Sequence, residues 1–311
     1  MILKTMAGVW PVIVLMGCAS STPQSDSILS KVHSYPPSYE ISQVPFIEQS
    51  AYYCGPATLA MAMNWAGKKV SVDQIAQQVY TPAMKGSLQL DMITASRRQG
   101  MLAIPIEGFD ALFSEISAGH PVIVFENLAL SWAPTWHYAL VFGYDLPRQT
   151  VLMHSGPEAF KKWDIRKFER SWQLADHWGL LVLPPGELSF TAGELAHVQA
   201  ASALEQMGQS EAAQTSYLRI LQRWPQSLSA EIGLANIAYN QKDYTSAIRF
   251  LRQATSAHPD SAAAWHNLAV AQGTVHLKSQ ARQSARQALK YVSAEQRASY
   301  QENLGEWLGK N

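Results

Sequence analysis

"EQSAYYCGPATLAMAMNW", residues 48–65, holds Cys54, one of only two cysteines among 311 residues. Gly55 and Pro56 follow it, and the chain then runs into an apolar stretch that stops at Gly67. Proline lacks an amide hydrogen and has a fixed φ, which suits the first turn of a helix. The spacing therefore predicts a helix from Pro56, with Cys54 at or just before its N-terminus. Unpaired N–H groups and the helix dipole favour a thiolate at that place. On composition alone the plainer reading is a buried filler, since free cysteine packs as a small hydrophobe; a filler, however, has no need of a helix end. Five residues earlier lies Gln49, whose carboxamide N–H, together with a backbone N–H, would make an oxyanion hole for acyl transfer.

A thiol nucleophile needs a base, and "TWHYALVFGYD" supplies His137 at the head of an extended, apolar run. Taken alone, a histidine there is more often structural. In combination with Gln49 and Cys54 it completes a Cys–His pair, a recurring activated nucleophile. Trp132 and Trp136, in "LALSWAPTWH", fall in a loop just before it, where they would either line a groove for peptide side chains or cap the core. Tyr53, with Tyr52, flanks the cysteine and carries the same two readings.

Around these residues the chain alternates helical and extended signals from about residue 40 to 185. "SVDQIAQQVY" opens with a Ser71-to-Gln74 capping box, and "SLQLDMITASRRQG" is a helix ending at Gly100. Extended runs follow in "MLAIPIE", "PVIVFENLA", "HYALVFGYD", "TVLMHSG" and, after a short helix around "RKFERSW", "GLLVLPP". "DLPRQ" is a turn that predicts a hairpin between the third and fourth runs. Helices first and an antiparallel sheet afterwards make an α+β domain.

From residue 192 to 311 alanine, leucine and glutamine dominate and extended runs vanish. Pro225 and Pro259 lie 34 residues apart, and Ala213, Ala247 and Ala281 keep the same offset. With Trp265-x-x-Leu268-Ala269, this pattern resembles tetratricopeptide repeats, paired antiparallel helices stacked into an all-α superhelix. Three units are expected, near residues 193–225, 226–259 and 260–293. The resemblance implies a protein partner bound by the repeats.

The N-terminus reads "MILKTMAGVWPVIVLMGCAS". Its uncharged stretch is shorter than the ~20 residues a spanning helix needs and reads as an export signal. Leu15-Met16-Gly17-Cys18 resembles a bacterial lipobox, which implies a signal peptide over 1–17 and a lipid on Cys18. Ala19 after it implies outer-membrane sorting, with a body facing the periplasm. Residues 18–39, rich in serine and proline, are expected to be a flexible tether. With Cys18 acylated, Cys54 has no disulfide partner. The 24 basic and 24 acidic residues balance, so nothing suggests nucleic acid as a partner. The nine histidines are scattered without metal-ligand spacing, so neither a metal nor a cofactor is expected.

Gln49-x4-Cys54-Gly55-Pro56-Ala57, followed by His137-Tyr138-Ala139-Leu140-Val141-Phe142-Gly143-Tyr144-Asp145, resembles the bacteriocin-processing, double-glycine-leader cysteine peptidases. The likeness runs from about Val44 to Pro184 and implies a papain-like fold and cleavage of a peptide or protein substrate. It makes Cys54 the nucleophile, His137 the general base and later acid, and Gln49 the oxyanion donor. The family places an Asp on the strand after the histidine strand, to orient the imidazole. Here that run is "TVLMHSGPE", and His154 is the expected substitute; Asp145, Asn127, water or a backbone carbonyl could also serve. The missing carboxylate also supports a different class of function, a noncatalytic scaffold or peptide-binding lipoprotein.

Overall fold

The computed structural model describes residues 21–31, 34–49 and 52–308. Cys18 and the signal stretch lie outside the described residues. Among the described residues, no helix is long and apolar enough to cross a membrane.

The sheet is antiparallel throughout, in the order β2-β7-β3-β4-β5-β6, with β1 paired to β4. Its strands are β1 (Ser38–Glu40), β2 (Leu102–Glu107), β3 (Val122–Asn127), β4 (Trp136–Asp145), β5 (Thr150–Ser155), β6 (Glu158–Asp164) and β7 (Trp178–Leu183). β2 to β5 and β7 are the five extended runs of the sequence, and β4 and β5 form the expected hairpin. β1 and β6 carry too weak a pattern to be read: β1 has three residues, and β6 ("EAFKKWD") is an edge strand with little buried surface.

Helix α2 (Cys54–Trp65) packs on this sheet, and every residue from Gly55 to Met63 is buried. It starts two residues before Pro56, which occupies the third helical position; its missing N–H is still one that would have no intrahelical partner. α3 (Val72–Val79) carries the capping box between Ser71 and Gln74, and α4 (Gln89–Arg98) ends two residues before Gly100. α5 (Gly108–Ser117) and α6 (Ile165–Trp172) are set between strands, so the helices do not all precede the sheet. α5 buries Phe109, Leu112, Phe113 and Ile116, one stripe at helical spacing.

Over the described residues 22–30, the expectation of a flexible tether is overturned. α1 (Pro23–Ser30) docks against α5 and α6 with Ile28 fully buried. The amides of Gln24 and Ser25 donate to Glu169 at 2.9 and 2.7 Å, and Gln24 Oε1 accepts the Phe109 N–H at 2.8 Å, capping α5 from outside. The few apolar residues in this stretch are placed where the core needs them, which composition averages away.

The C-terminal region is helical: α7 (Glu194–Gln206), α8 (Ser210–Arg223), α9 (Leu228–Asn240), α10 (Tyr244–Ala257), α11 (Ala262–Thr274), α12 (Lys278–Tyr291) and α13 (Arg297–Leu308). Ala213, Ala247 and Ala281 are fully buried, where small side chains let paired helices approach. A Cβ on Gly273 would collide with the Trp307 indole, which shows how closely α13 closes the stack.

The two regions are locked together by Glu115 of α5. Its buried carboxylate accepts the Ser189 hydroxyl (2.6 Å), the Thr191 N–H (2.7 Å) and hydroxyl (2.6 Å), the Phe190 N–H (3.2 Å) and His120 Nδ1 (2.7 Å). Burial alone would raise its pKa, but the bonds from His120, Ser189 and Thr191 outweigh it and hold the group at about 2. A carboxylate with a depressed native pKa stabilises the fold above its unfolded value, and that contribution is lost as the pH falls towards the native value. Glu115→Ala leaves several buried donors unpaired and is expected to cost about 2–3 kcal/mol in urea unfolding at pH 7. The difference from wild type should shrink as unfolding is repeated from pH 4.5 down towards pH 2.

Candidate active site

Cys54 is the first residue of α2, held there by tight packing. A Cβ on Gly55 would lie 2.6 Å from Ser87 Oγ, so only glycine lets the 85–88 loop close on the helix end. Tyr52 has φ 69°, a left-handed turn that swings the chain into the helix. Cys54 and Gln49, five residues apart, and His137, on a distant strand, line one cleft of about 880 Å³.

Burial raises the Cys54 thiol above its ordinary pKa, and the backbone N–H groups of Tyr138, Gly55 and Cys54 itself offset part of that. The helix end and the neighbouring strand thus act on the sulfur in the expected sense, but desolvation wins. Burial likewise pushes His137 down to about 4, with the Lys161 charge adding to it. At neutral pH the resting pair is therefore a thiol and a neutral imidazole, not a preformed ion pair. Any nucleophilic attack by this sulfur would have to be accompanied by proton transfer to His137.

Gln49 is pinned at both ends of its amide. Nε2 donates to Thr58 Oγ1 at 3.2 Å, and Oε1 accepts the Gly156 N–H at 3.1 Å. Thr58 in turn donates to the Tyr138 carbonyl at 3.3 Å. One Nε2 hydrogen is thereby used, and the second belongs to a side chain on the cleft wall.

The third position is corrected: Ser155, not His154, meets the histidine, with Ser155 Oγ 3.0 Å from His137 Nε2. His154 is fully buried; its Nδ1 accepts the Phe160 N–H at 3.2 Å and its Nε2 donates to the Val44 carbonyl at 3.3 Å. Its ring packs among Phe46, Phe142 and Phe160, as a structural histidine does. The cause is a β-bulge. From the turn, Asp145 faces Thr150 and Gly143 faces Leu152, but Val141 then faces Met153 and Leu140 faces His154. An unbroken ladder would put residue 154 on the face of His137; the extra residue, Phe142, reverses this and brings residue 155 there. The Phe142 carbonyl accepts the Ile41 N–H at 2.9 Å, continuing the pairing of β1 with β4.

Neither Asp145 nor Asn127 reaches His137. Asp145 lies at the far end of β4 and pairs with Arg148 at 2.6 Å. Asn127 shapes the loop before His137, accepting the Ala129 and Thr135 N–H groups and donating to the Leu130 carbonyl. Trp136 lines the cleft, stacked on Phe125 with ring centroids 5.0 Å apart. Trp132 does not: it is 80% exposed on the loop. Tyr53 stacks on Tyr80 at 5.1 Å, and its neighbour Tyr52 is the one on the cleft wall. Ser87 and Tyr138 also belong to the site, although no motif in the sequence singles out their role. Tyr138 Oη donates to the Ser87 carbonyl at 3.1 Å and fastens the loop under Gly55 to the histidine strand.

A helix-borne cysteine, a strand-borne histidine and a carboxamide facing one cleft define the architecture of a papain-like α+β domain. Residues 41–178 match the Peptidase_C39 like family, and residues 198–262 match the tetratricopeptide repeat. Residues 41–178 thus form a C39-like domain, and a tetratricopeptide-repeat region follows it. Among solved structures, it is similar to a C39-like peptidase from Bacillus anthracis, at 17% identity, covering 50% of this chain and 100% of that one, with TM-score 0.42. The peptidase domain of Streptococcus ComA, a bifunctional ABC transporter, is 21% identical over 47% of this chain and 98% of that one, with TM-score 0.37. MamA from Desulfovibrio magneticus RS-1 is 19% identical over 38% of this chain and 66% of that one, with TM-score 0.34. No curated protein matches the chain.

Gly55→Ala would force the 85–88 loop off the end of α2. It is expected to cost about 1–3 kcal/mol of stability, measured by denaturant unfolding, and to accelerate exchange of the Ser87 and Leu88 amides in hydrogen–deuterium exchange.

Proposed function

We propose that the C39-like domain is a cysteine peptidase. Cys54 Sγ attacks the substrate carbonyl carbon while its proton passes to His137. The carbonyl oxygen, now negative, is held by Gln49 Nε2–H and a backbone N–H at the start of α2. His137 returns the proton to the leaving amine as the C–N bond breaks, leaving a thioester on Cys54. Water, deprotonated by His137, then releases the acid and restores the thiol. One observation carries this reading: His137, more than 80 residues further along the chain, meets Cys54 and Gln49 in one open cleft. The exposed Met84, Leu88 and Trp136 on its walls favour a peptide with apolar side chains.

The repeats recruit a protein partner or the substrate itself, and the Leu15–Cys18 motif supports a lipid-anchored protein of the outer membrane facing the periplasm. A noncatalytic scaffold is the second reading. It is favoured by the serine in the third position and by a resting pair in which both groups are neutral.

Cleavage of a peptide library, read by mass spectrometry, separates the two. Wild-type protein is expected to cleave, Cys54→Ala to be inactive, and Gln49→Ala to lose about 10²-fold in kcat with little change in KM. If wild type cleaves nothing, and a strain carrying Cys54→Ala has the same periplasmic peptides as its parent, the scaffold reading replaces the enzyme.

A further inference from the structure

Glu126 is a fully buried carboxyl group with no part in the peptidase steps. It stands on β3 directly opposite His137 of β4. Opposed residues of an antiparallel pair project on the same face, with β-carbons about 5 Å apart. Glu126 Oε2 accepts the Ser171 hydroxyl at 2.6 Å, while Oε1 is buried without a partner among the described residues. A brace between β3 and α6 needs only the first oxygen. An apolar side chain would fill the space without burying a second, unpaired polar atom, which carries a desolvation cost.

His137, meanwhile, bonds a hydroxyl through Nε2. A hydroxyl can orient the ring, but it offers no negative charge to an imidazolium. Few further charges intervene. His137 of β4 faces it across the ladder, with no ion pair between the two within 4.0 Å among the described residues; α6 presents the Ser171 hydroxyl, and Lys161 of β6 is a charge that acts on both Glu126 and His137. Lys161 is itself occupied by Glu158 at 3.1 Å and by the Trp163 ring at 4.2 Å.

We propose that Glu126 is the carboxylate that stabilises protonated His137, supplying from β3 the charge that Ser155 on β5 lacks. The inference rests on Cys54 and His137 acting as nucleophile and base. Glu126 acts through His137 and is a positioning residue: the Cys54 proton goes to the imidazole and stays there, and Glu126 in its ionised form supplies only the counter-charge. Burial pushes its pKa up to about 7, against the Ser171 bond and the Lys161 charge. Below that value the carboxyl is neutral and His137 has no counter-charge; above it the imidazolium formed by proton transfer is stabilised and Cys54 reacts faster.

The test is alkylation of the full chain by iodoacetamide from pH 5 to 9, read at Cys54 by mass spectrometry. Glu126→Gln keeps the size and the bond to Ser171 but removes the charge. It is expected to slow alkylation about 10-fold at pH 8, equivalent to one pKa unit on His137, and to erase a step near pH 7. Adding Ser155→Asp to Glu126→Gln should restore the rate, whereas a mere brace between β3 and α6 would not be restored that way. A Glu126→Gln profile that superimposes on wild type, or a folded double variant that stays slow, overturns the proposal. Should Glu126→Gln not fold, NMR of labelled histidine in the wild type decides: the His137 resonance should show an inflection near pH 7, and its absence overturns the proposal. None of these readouts needs peptide cleavage. If they hold and no peptide is cut, the peptidase reading falls and the role of Glu126 stands; if Cys54-dependent cleavage is found with an unchanged Glu126→Gln profile, Glu126 alone falls.

Discussion

The seating of the first turn of α2 against β4 and the 85–88 loop is the constraint on which the site depends. α2 runs through the domain with both sides buried, so its position is set by core packing rather than by propensity. Ser87 occupies the space a side chain at residue 55 would need, and Tyr138 ties that loop to the strand carrying His137. Thr58, one turn along the helix, links Gln49 to the Tyr138 carbonyl. Three chain segments are therefore held by hydrogen bonds that converge on a single residue of β4. The side chains on the cleft wall are held by residues beneath them that are not free to move.

Such a buried site has an electrostatic consequence. Desolvation acts in opposite directions on an acid and a base, raising the thiol and lowering the imidazole, and both neutral forms gain. A helix end adds only a modest bias towards the thiolate, and here it does not overcome burial. Reactivity then depends on whatever stabilises the charged pair once a proton has moved. That places the weight on groups behind His137, where the sequence offers a hydroxyl on one strand and a buried carboxyl on the next.

What was legible in the sequence follows from how local the signal is. Strands β2 to β5 and β7, the capping box at Ser71 and the 34-residue alanine spacing each reside in a few adjacent residues or a fixed period, and each was readable. The choice between His154 and Ser155 was not, because it hangs on one extra residue in β4, and a bulge at Phe142 leaves no mark when the flanking residues are all apolar. Gly143 next to it answers a different constraint: a Cβ there would sit 2.8 Å from the Tyr39 carbonyl oxygen, so the glycine records the close passage of β1. α1 and Tyr53 were illegible for a related reason. A serine-rich stretch and a tyrosine beside a cysteine have no fixed meaning until the partner surface, Glu169 in one case and Tyr80 in the other, is known.

The joint between the two regions sets how the repeats can serve the cleft. Linkers that let domains swing are polar and make few contacts; residues 189–192 instead surrender their hydroxyls and amides to Glu115 and to one another. His197 of α7 accepts the Ser189 N–H at 3.0 Å, and Gln209 donates to the Arg98 carbonyl at 2.9 Å. The core continues across the joint from Leu102 to Ala201 and Leu204. Anything held by the first repeats is thus held at a fixed bearing to the C39-like domain, and selection by position becomes possible without any contact in the cleft itself. Preorganisation of this kind favours a partner whose two contact points match that fixed spacing. It also explains why a buried carboxylate with several donors is kept at a place where a flexible linker would have sufficed to join two domains.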